Sequence, residues 1–265
     1  MIDYSGRSVL VTGAASGIGA ALSVALAARG AYVICADIDE AGLSRTLEAI
    51  SGNGQQIACD LSEPNAAAEL VDKAYDARGE LALVCSNAGI GHRTKITTPE
   101  LDHDAIHRLF EINFYSGLKL ANAYTQKLNE AGAQGQILFT TSETSLSVPN
   151  AIRKNRVPYY AASKHALIGA LEWLAIELEK GPLSVHALIP GAVYTPLISG
   201  RLKDPADAWP ELELIMPEAC ADIALKGLDL DLFYIPTQAH ILDDMQPRVE
   251  GVRDALQKLG IKPLA

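Results

Sequence analysis

Aromatic side chains make up only 6% of the 265 residues. A sandwich of sheets whose core is filled by aromatic rings is therefore a poor fit. The apolar fraction is nonetheless 49%, with alanine abundant, which suits close packing of helices on a sheet and suffices for one large core. Cysteine is rare as well. Cys35, Cys59, Cys85 and Cys220 form no C-x-x-C pair, and three of them end apolar runs, so they read as buried, reduced thiols. No run of lysine and arginine is long enough for a basic arm, and the net charge is −10 with an isoelectric point near 5.1. An acidic surface repels phosphate backbones, which argues against nucleic acid as a partner. No stretch approaches the roughly 18 apolar residues of a membrane span. Met1-Ile2-Asp3-Tyr4-Ser5-Gly6 lacks the basic-then-apolar order of a targeting signal. The expectation is a cytoplasmic protein with no membrane partner.

What is present is alternation. Short apolar runs at Ser8–Thr12, Tyr32–Asp37, Gln56–Asp60, Leu81–Ser86, Gln136–Thr141 and Leu183–Ile189 read as strands. Between them, Gly17–Arg29, Ala41–Ile50, Asn65–Ala77, Asp102–Ala131 and Tyr159–Glu179 read as helices. Continuous apolar strands separated by helices predict βαβ units and a parallel sheet buried on both faces. Residues 192–216 carry three prolines and little regular signal. A helix at Pro217–Leu228, a short strand Leu232–Pro236 and a last helix at Gln246–Leu259 follow. With no linker or repeat, the fold class is α/β. Residues 1–265 make a single domain with a doubly wound, Rossmann-like parallel sheet and helices on both faces.

Thr12-Gly13-Ala14-Ala15-Ser16-Gly17-Ile18-Gly19 follows the first strand. Its glycines are spaced G-x-x-x-G-x-G. A tight turn, close backbone approach to a pyrophosphate and a free helix N-terminus all favour glycine here. Asp37 ends the second strand about 20 residues on, where a carboxylate can accept from a ribose 2′-hydroxyl and repel a 2′-phosphate, selecting NAD over NADP. Its alternative role is to cap the next helix. Asp60 ends the third strand and Asn87-Ala88-Gly89 follows the fourth, so both should face the same crevice. Tyr160 and Lys164 stand one turn apart on one helix face. A lysine ammonium, with the positive ring of NAD+, favours the phenolate and brings a phenol toward acid/base work near neutral pH.

Taken in order, Thr12–Gly19, Asp60, Asn87-Ala88-Gly89, Asn113, Ser142, Tyr160/Lys164 and Pro190-Gly191 resemble the short-chain dehydrogenase/reductase family over residues 8 to about 195. The resemblance implies that Tyr160 transfers the proton, while Lys164 lowers its pKa and holds the nicotinamide ribose. It implies that Ser142 bonds the substrate oxygen, and that Asn113 breaks its helix locally and holds a water of the proton relay. Gly13, Ser16, Gly17, Ile18 and Gly19 would cradle the cofactor, with Asp37 on its ribose. Asp60, Leu61 and the stretch Asn87-Ala88-Gly89 would line the adenosine side. Pro190, Gly191, Val193 and Thr195 would line the nicotinamide side. The implied assembly is a homotetramer or homodimer packed through Asp102–Ala131 and Tyr159–Glu179.

Two departures stand out. The gap between Ser142 and Tyr160 is wide and holds Val148–Pro158, which predicts an inserted loop beside the pocket. It leaves Ser145 and Ser147 as rivals of Ser142, and Tyr159 as a rival of Tyr160. His103 and His107, spaced i and i+4, lack a third metal ligand, so no metal is expected and the pair reads as a solvated face. Arg153, Lys154 and Arg156 could steer an anion or simply coat a loop. Tyr194, Leu197, Ile198, Trp209 and Leu212 suggest either a substrate lid over an apolar pocket or plain core packing. The expected activity is NAD-dependent interconversion of a secondary alcohol and a ketone, steroid-like or aromatic. A non-catalytic NAD(H) sensor or scaffold is the alternative. A methyltransferase is disfavoured, having no use for the Tyr/Lys pair.

Overall fold

Val9 and Val11 are buried on one side of their strand and Leu10 on the other. The same alternation repeats along the neighbouring strands: Val33, Cys35, Leu83 and Cys85 join Val9, while Ile34, Val84, Ile137 and Phe139 join Leu10. A sheet with two apolar faces needs helices on both, and the computed structural model, which describes residues 1–199, 202 and 204–262, has that arrangement. The strands are β1 Ser8–Thr12, β2 Tyr32–Asp37, β3 Gly54–Ala58, β4 Leu83–Ser86, β5 Gly135–Thr140, β6 Leu183–Ile189 and β7 Tyr234–Pro236. They form one seven-stranded sheet in the order β3-β2-β1-β4-β5-β6-β7, with every pairing parallel.

The helices are α1 Gly17–Ala28, α2 Glu40–Ala49, α3 Ala66–Arg78, α4 His103–Phe110, α5 Ser116–Ala131 and α6 Pro158–Glu177, then the short α7 Pro196–Ser199, α8 Pro217–Asp229 and α9 His240–Lys258. Leu22 and Leu26 of α1, Leu43 of α2 and Leu225 and Leu228 of α8 cover one face. Leu70 of α3, Leu120 and Tyr124 of α5 and Leu167 and Leu171 of α6 cover the other. Arg29 locks α1 to α8 through a two-pronged bond to Asp229, at 2.9 and 3.0 Å. The chain winds outward from β1 to β3, then restarts on the opposite side of β1 with β4. That reversal opens a crevice beyond the carboxyl ends of β1 and β4.

Two boundaries need correction, and one helix is disturbed where the resemblance implied it. Asp60 lies two residues beyond β3 rather than at its end. The partner strand β2 ends at Asp37, opposite Ala58, and beyond it the Asp60 carboxylate accepts from the Ser62 amide and hydroxyl, at 2.9 and 2.7 Å. The expected single helix Asp102–Ala131 is interrupted by a π-turn over Glu111–Tyr115, with Asn113 at its middle, so the helix breaks where the resemblance implied. The last helix begins at His240, six residues before the expected start, and runs through Pro247. Among the described residues of 192–216, Val193 bridges to Ile215, α7 follows, and single turns form at Pro205–Asp207 and Pro210–Leu212. Among the described residues no helix is long and apolar enough to cross a membrane.

Candidate active site

The loop after β1 is built on a backbone that side chains would block. Gly13 has φ +67, and a Cβ there would stand 2.9 Å from Ala88 Cα. A Cβ on Gly19 would stand 2.1 Å from the Gly13 carbonyl oxygen. Ser16, the N-cap of α1, makes no side-chain cap bond, so its side chain leaves the first-turn N–H groups open toward the crevice. Asp37 holds this loop from outside: Oδ2 accepts from the Ala15 amide at 3.1 Å and Oδ1 from the Asp39 amide at 3.0 Å. The cap of α2 is Asp39, accepting from the Gly42 amide at 3.0 Å, so the alternative capping role for Asp37 is overturned.

Thr12, Asn87 and Thr140 tie the ends of β1, β4 and β5 together. The Asn87 and Ala88 amides donate to Thr12 Oγ1 at 3.0 and 3.1 Å. Asn87 Nδ2 donates to the Thr12 carbonyl at 3.1 Å, and Thr140 Oγ1 donates to Asn87 Oδ1 at 2.9 Å. From α6, Lys164 Nζ donates to the Thr140 carbonyl at 2.8 Å. Lys164 is only 4% exposed, and burial pushes its pKa down to about 8. Its Nζ lies 5.9 Å from the Tyr160 ring centre. Burial pushes the Tyr160 phenol up, a hydrogen bond with Ser142 pulls it back, and the charge of Glu143 raises it again. In the cofactor-free chain the net direction for the phenol is upward, with burial the largest cause.

Ser142 is held at the start of a short turn. Its Oγ accepts from the Thr144 amide at 3.2 Å and its N–H donates to Ser145 Oγ at 3.2 Å. Ser145 thus braces the Ser142 turn and lies off the cleft wall. Asn113 sits behind the crevice, 2% exposed. Its amide grips both the N–H and the C=O of Ile90, at 2.8 and 2.9 Å, and donates to Ser163 Oγ at 3.2 Å.

A cleft of about 820 Å³ joins these groups. It is lined by Gly13, Ser16, Gly17, Ile18, Asp37, Asp60, Leu61, Asn87, Ala88 and Gly89 at one end. Ser142, Tyr160, Lys164, Pro190, Gly191, Val193 and Thr195 line the other. Gly19 and Asn113 support the wall without lining it; nor do Ser145, Ser147 and Tyr159 line it. Beyond Tyr160 the walls turn apolar with Ile152, Val157, Leu197, Ile198, Leu202, Trp209 and Leu212. The insert therefore does border the pocket, through a turn at Asn150–Asn155, while Arg153, Lys154 and Arg156 are exposed and off the wall. Core packing and pocket lining coexist here, since Ala192, Leu202 and Leu212 form a small buried cluster of their own.

Sequence reasoning missed Arg108, which pairs with Asp60 at 3.0 Å, and Glu143, which lines the cleft. Only adjacency to Ser142 hinted at Glu143; Arg108 has no signal short of the fold. Of the cysteines, Cys59 is half-buried rather than buried. Burial raises Cys35 to about 11, and Cys85 and Cys220 to about 12.

A family model described as short chain dehydrogenase matches residues 7–206. The 1-deoxy-11-beta-hydroxypentalenate dehydrogenase of Streptomyces avermitilis is 34% identical over 235 residues, covering 88% of this chain and 84% of that protein. The (+)-borneol dehydrogenase 1 of Salvia officinalis is 32% identical over 196 residues, covering 74% and 73%. A short-chain dehydrogenase/reductase from Burkholderia phymatum, solved in complex with NAD, superposes over 100% of both chains with a TM-score of 0.83 at 24% identity. The seven-stranded Rossmann-like sheet and this match over most of its length agree: the chain belongs to the short-chain dehydrogenase/reductase family of NAD(P)-using oxidoreductases.

Proposed function

We propose that the chain interconverts a secondary alcohol and a ketone of apolar, steroid-like or aromatic character, using NAD, with Tyr160 as the proton-transfer group. The observation that carries this reading is one cleft in which Ser142, Tyr160 and Lys164 stand between a dinucleotide-sized groove and apolar walls. The groove fits a dinucleotide: a Cβ would fill the space at Gly13, Ser16 leaves the first turn of α1 uncapped by its side chain, and Asp37 borders the cleft. Gly13, Ser16, Gly17 and Ile18 would hold the pyrophosphate. Asp37 would accept from the ribose 2′-hydroxyl and repel a 2′-phosphate, which favours NAD. Asp60, Leu61, Asn87, Ala88 and Gly89 would hold the adenosine side; Pro190, Gly191, Val193 and Thr195 the nicotinamide side. When bound, the dinucleotide supplies the hydride acceptor or donor.

The chain's own residues then divide the work. Ser142 Oγ orients the substrate oxygen by hydrogen bonding. Tyr160 Oη takes the proton from the alcohol or returns it to the ketone. Lys164, anchored on the Thr140 carbonyl, adds positive charge beside the phenol and holds the ribose hydroxyls. Asn113 positions Ile90 and, through Ser163, the backbone of Tyr160. With its side-chain amide engaged, a relay water would sit on its main-chain carbonyl, and π-turns often mark functional positions. The name of the borneol dehydrogenase denotes a compact alicyclic alcohol, which supports an apolar substrate, whereas that of the hydroxypentalenate dehydrogenase denotes a hydroxy acid. The fold's usual assembly, through α5 and α6, supports a homodimer or homotetramer.

The test is Tyr160→Phe assayed by NADH absorbance on a panel of secondary alcohols, with NADH binding followed by fluorescence. Turnover should fall by about three orders of magnitude or more while NADH binding stays within a few-fold. Near-normal turnover in the Phe variant would end this assignment.

A further inference from the structure

Glu143 is a carboxylate buried in a wall where apolar side chains would serve an apolar substrate better. It is 5% exposed and lines the cleft directly after Ser142. Burying a carboxylate is costly unless it is paired, and the pairing here is partial. His240 Nε2 donates to Glu143 Oε2 at 2.8 Å. Across the ring, Nδ1 stands 3.0 Å from Glu213 Oε2. Desolvation pulls His240 down, but the two carboxylates outweigh it and hold its pKa above the usual value. Burial raises Glu143, the bond from His240 lowers it, and Asp244 and Glu213 add negative charge nearby. Glu143 Oε1 accepts no hydrogen bond among the described residues. With Oε2 engaged by the imidazole, the carboxylate presents a hydrogen-bond acceptor to the cleft. A neutral donor suits it.

We propose that Glu143 is a specificity-determining residue that accepts a hydrogen bond from a second hydroxyl on the substrate, so that diols are preferred over the matching mono-alcohols. His240 and Glu213 are positioning residues that hold the carboxylate. This rests on the alcohol–ketone reading above. A purely structural strut between the Ser142 turn and α9 would explain the His240 bond but would give no substrate preference.

The test compares cyclohexanol with the cis and trans cyclohexane-1,2-, 1,3- and 1,4-diols, with NAD, in wild type, Glu143→Leu and Glu143→Gln. In wild type at least one diol should exceed cyclohexanol by about tenfold in kcat/KM, the scale of one charged hydrogen bond. The ratio should fall to within about threefold of one in the Leu variant, chiefly through the diol's KM. Glu143→Gln keeps the shape and a carbonyl acceptor; it should lose part of the preference and carries the test if Glu143→Leu does not fold. Cyclohexanol turnover with no diol advantage in wild type overturns this inference alone, as does an advantage that survives both variants. Absence of turnover for every alcohol overturns the alcohol–ketone reading and this inference together.

Discussion

Replacing Lys164 by methionine should abolish catalysis and yet stabilise the cofactor-free protein. The folded chain holds this ammonium at 4% exposure, with the Thr140 carbonyl at 2.8 Å as its recorded acceptor. Its pKa falls from 10.5 to about 8, a penalty of about 3 kcal/mol at about 1.4 kcal/mol per tenfold. The sign follows from proton counting. Below pH 8 both the folded and unfolded lysine are protonated, so the whole penalty is present. Between about 8 and 10.5 the unfolded chain binds a proton that the folded chain does not, so wild-type stability recovers as pH rises. Methionine fills similar space and carries no such penalty, but it leaves the Thr140 carbonyl without this donor, costing about 1–2 kcal/mol. The net gain at pH 7 is about 1–2 kcal/mol, or roughly 2–4 °C in Tm for a chain of this size. Urea unfolding of both proteins at pH 7 and pH 10 checks it, since other titrating groups cancel in the comparison. A methionine variant less stable at pH 7, or a difference that is the same at both pH values, would refute the reasoning.

Asp37→Ala should shift the ratio of NAD to NADP affinity toward NADP by about tenfold or more, as the repelling charge is lost. Titration of both cofactors reads this, and an unchanged ratio would remove Asp37 from cofactor choice. Gly13→Ala places a Cβ 2.9 Å from Ala88 Cα at φ +67, and should cost about 1–3 kcal/mol in chemical unfolding. Arg29→Ala breaks the two-pronged bond to Asp229. Because both side chains are largely covered, at 16% and 14% exposure, the loss should reach about 1–2 kcal/mol without changing kcat.

The parts of the fold that were legible without coordinates are those governed by periodicity and by glycine. Val9-Leu10-Val11 reads as a strand buried on both sides because both of its faces are covered. Tyr160 and Lys164 are legible because helical spacing fixes their side-by-side placement. Boundaries set by side-chain bonding were not legible. Asp60 lies past the last β2–β3 pair, Asp37 with Ala58, and its carboxylate turns onto Ser62; nothing in an apolar run foretells that. The early start of α9 was hidden by Pro247, which reads as a helix breaker although the helix continues through it. Glu143 was missed because its partner, His240, lies 97 positions away, and Glu213 on the far side of that ring lies 70 away. A cluster assembled from such distant segments has no local pattern.

The bridge between Val193 and Ile215 has a consequence for how substrate range can change. The Tyr194 amide donates to the Ile215 carbonyl and the Ile215 amide to the Ala192 carbonyl, at 2.9 and 3.1 Å. These bonds pinch the neck of the excursion that carries Leu197, Trp209 and Leu212 over the cleft. With its neck fixed, added length in that excursion costs closure entropy that grows only logarithmically, about 0.6 kcal/mol per doubling. Lineages can therefore lengthen, shorten or rewrite this wall while β6 and the proton-transfer groups stay in register, which makes the excursion the cheap variable and the sheet ends the constant in the evolution of new substrates.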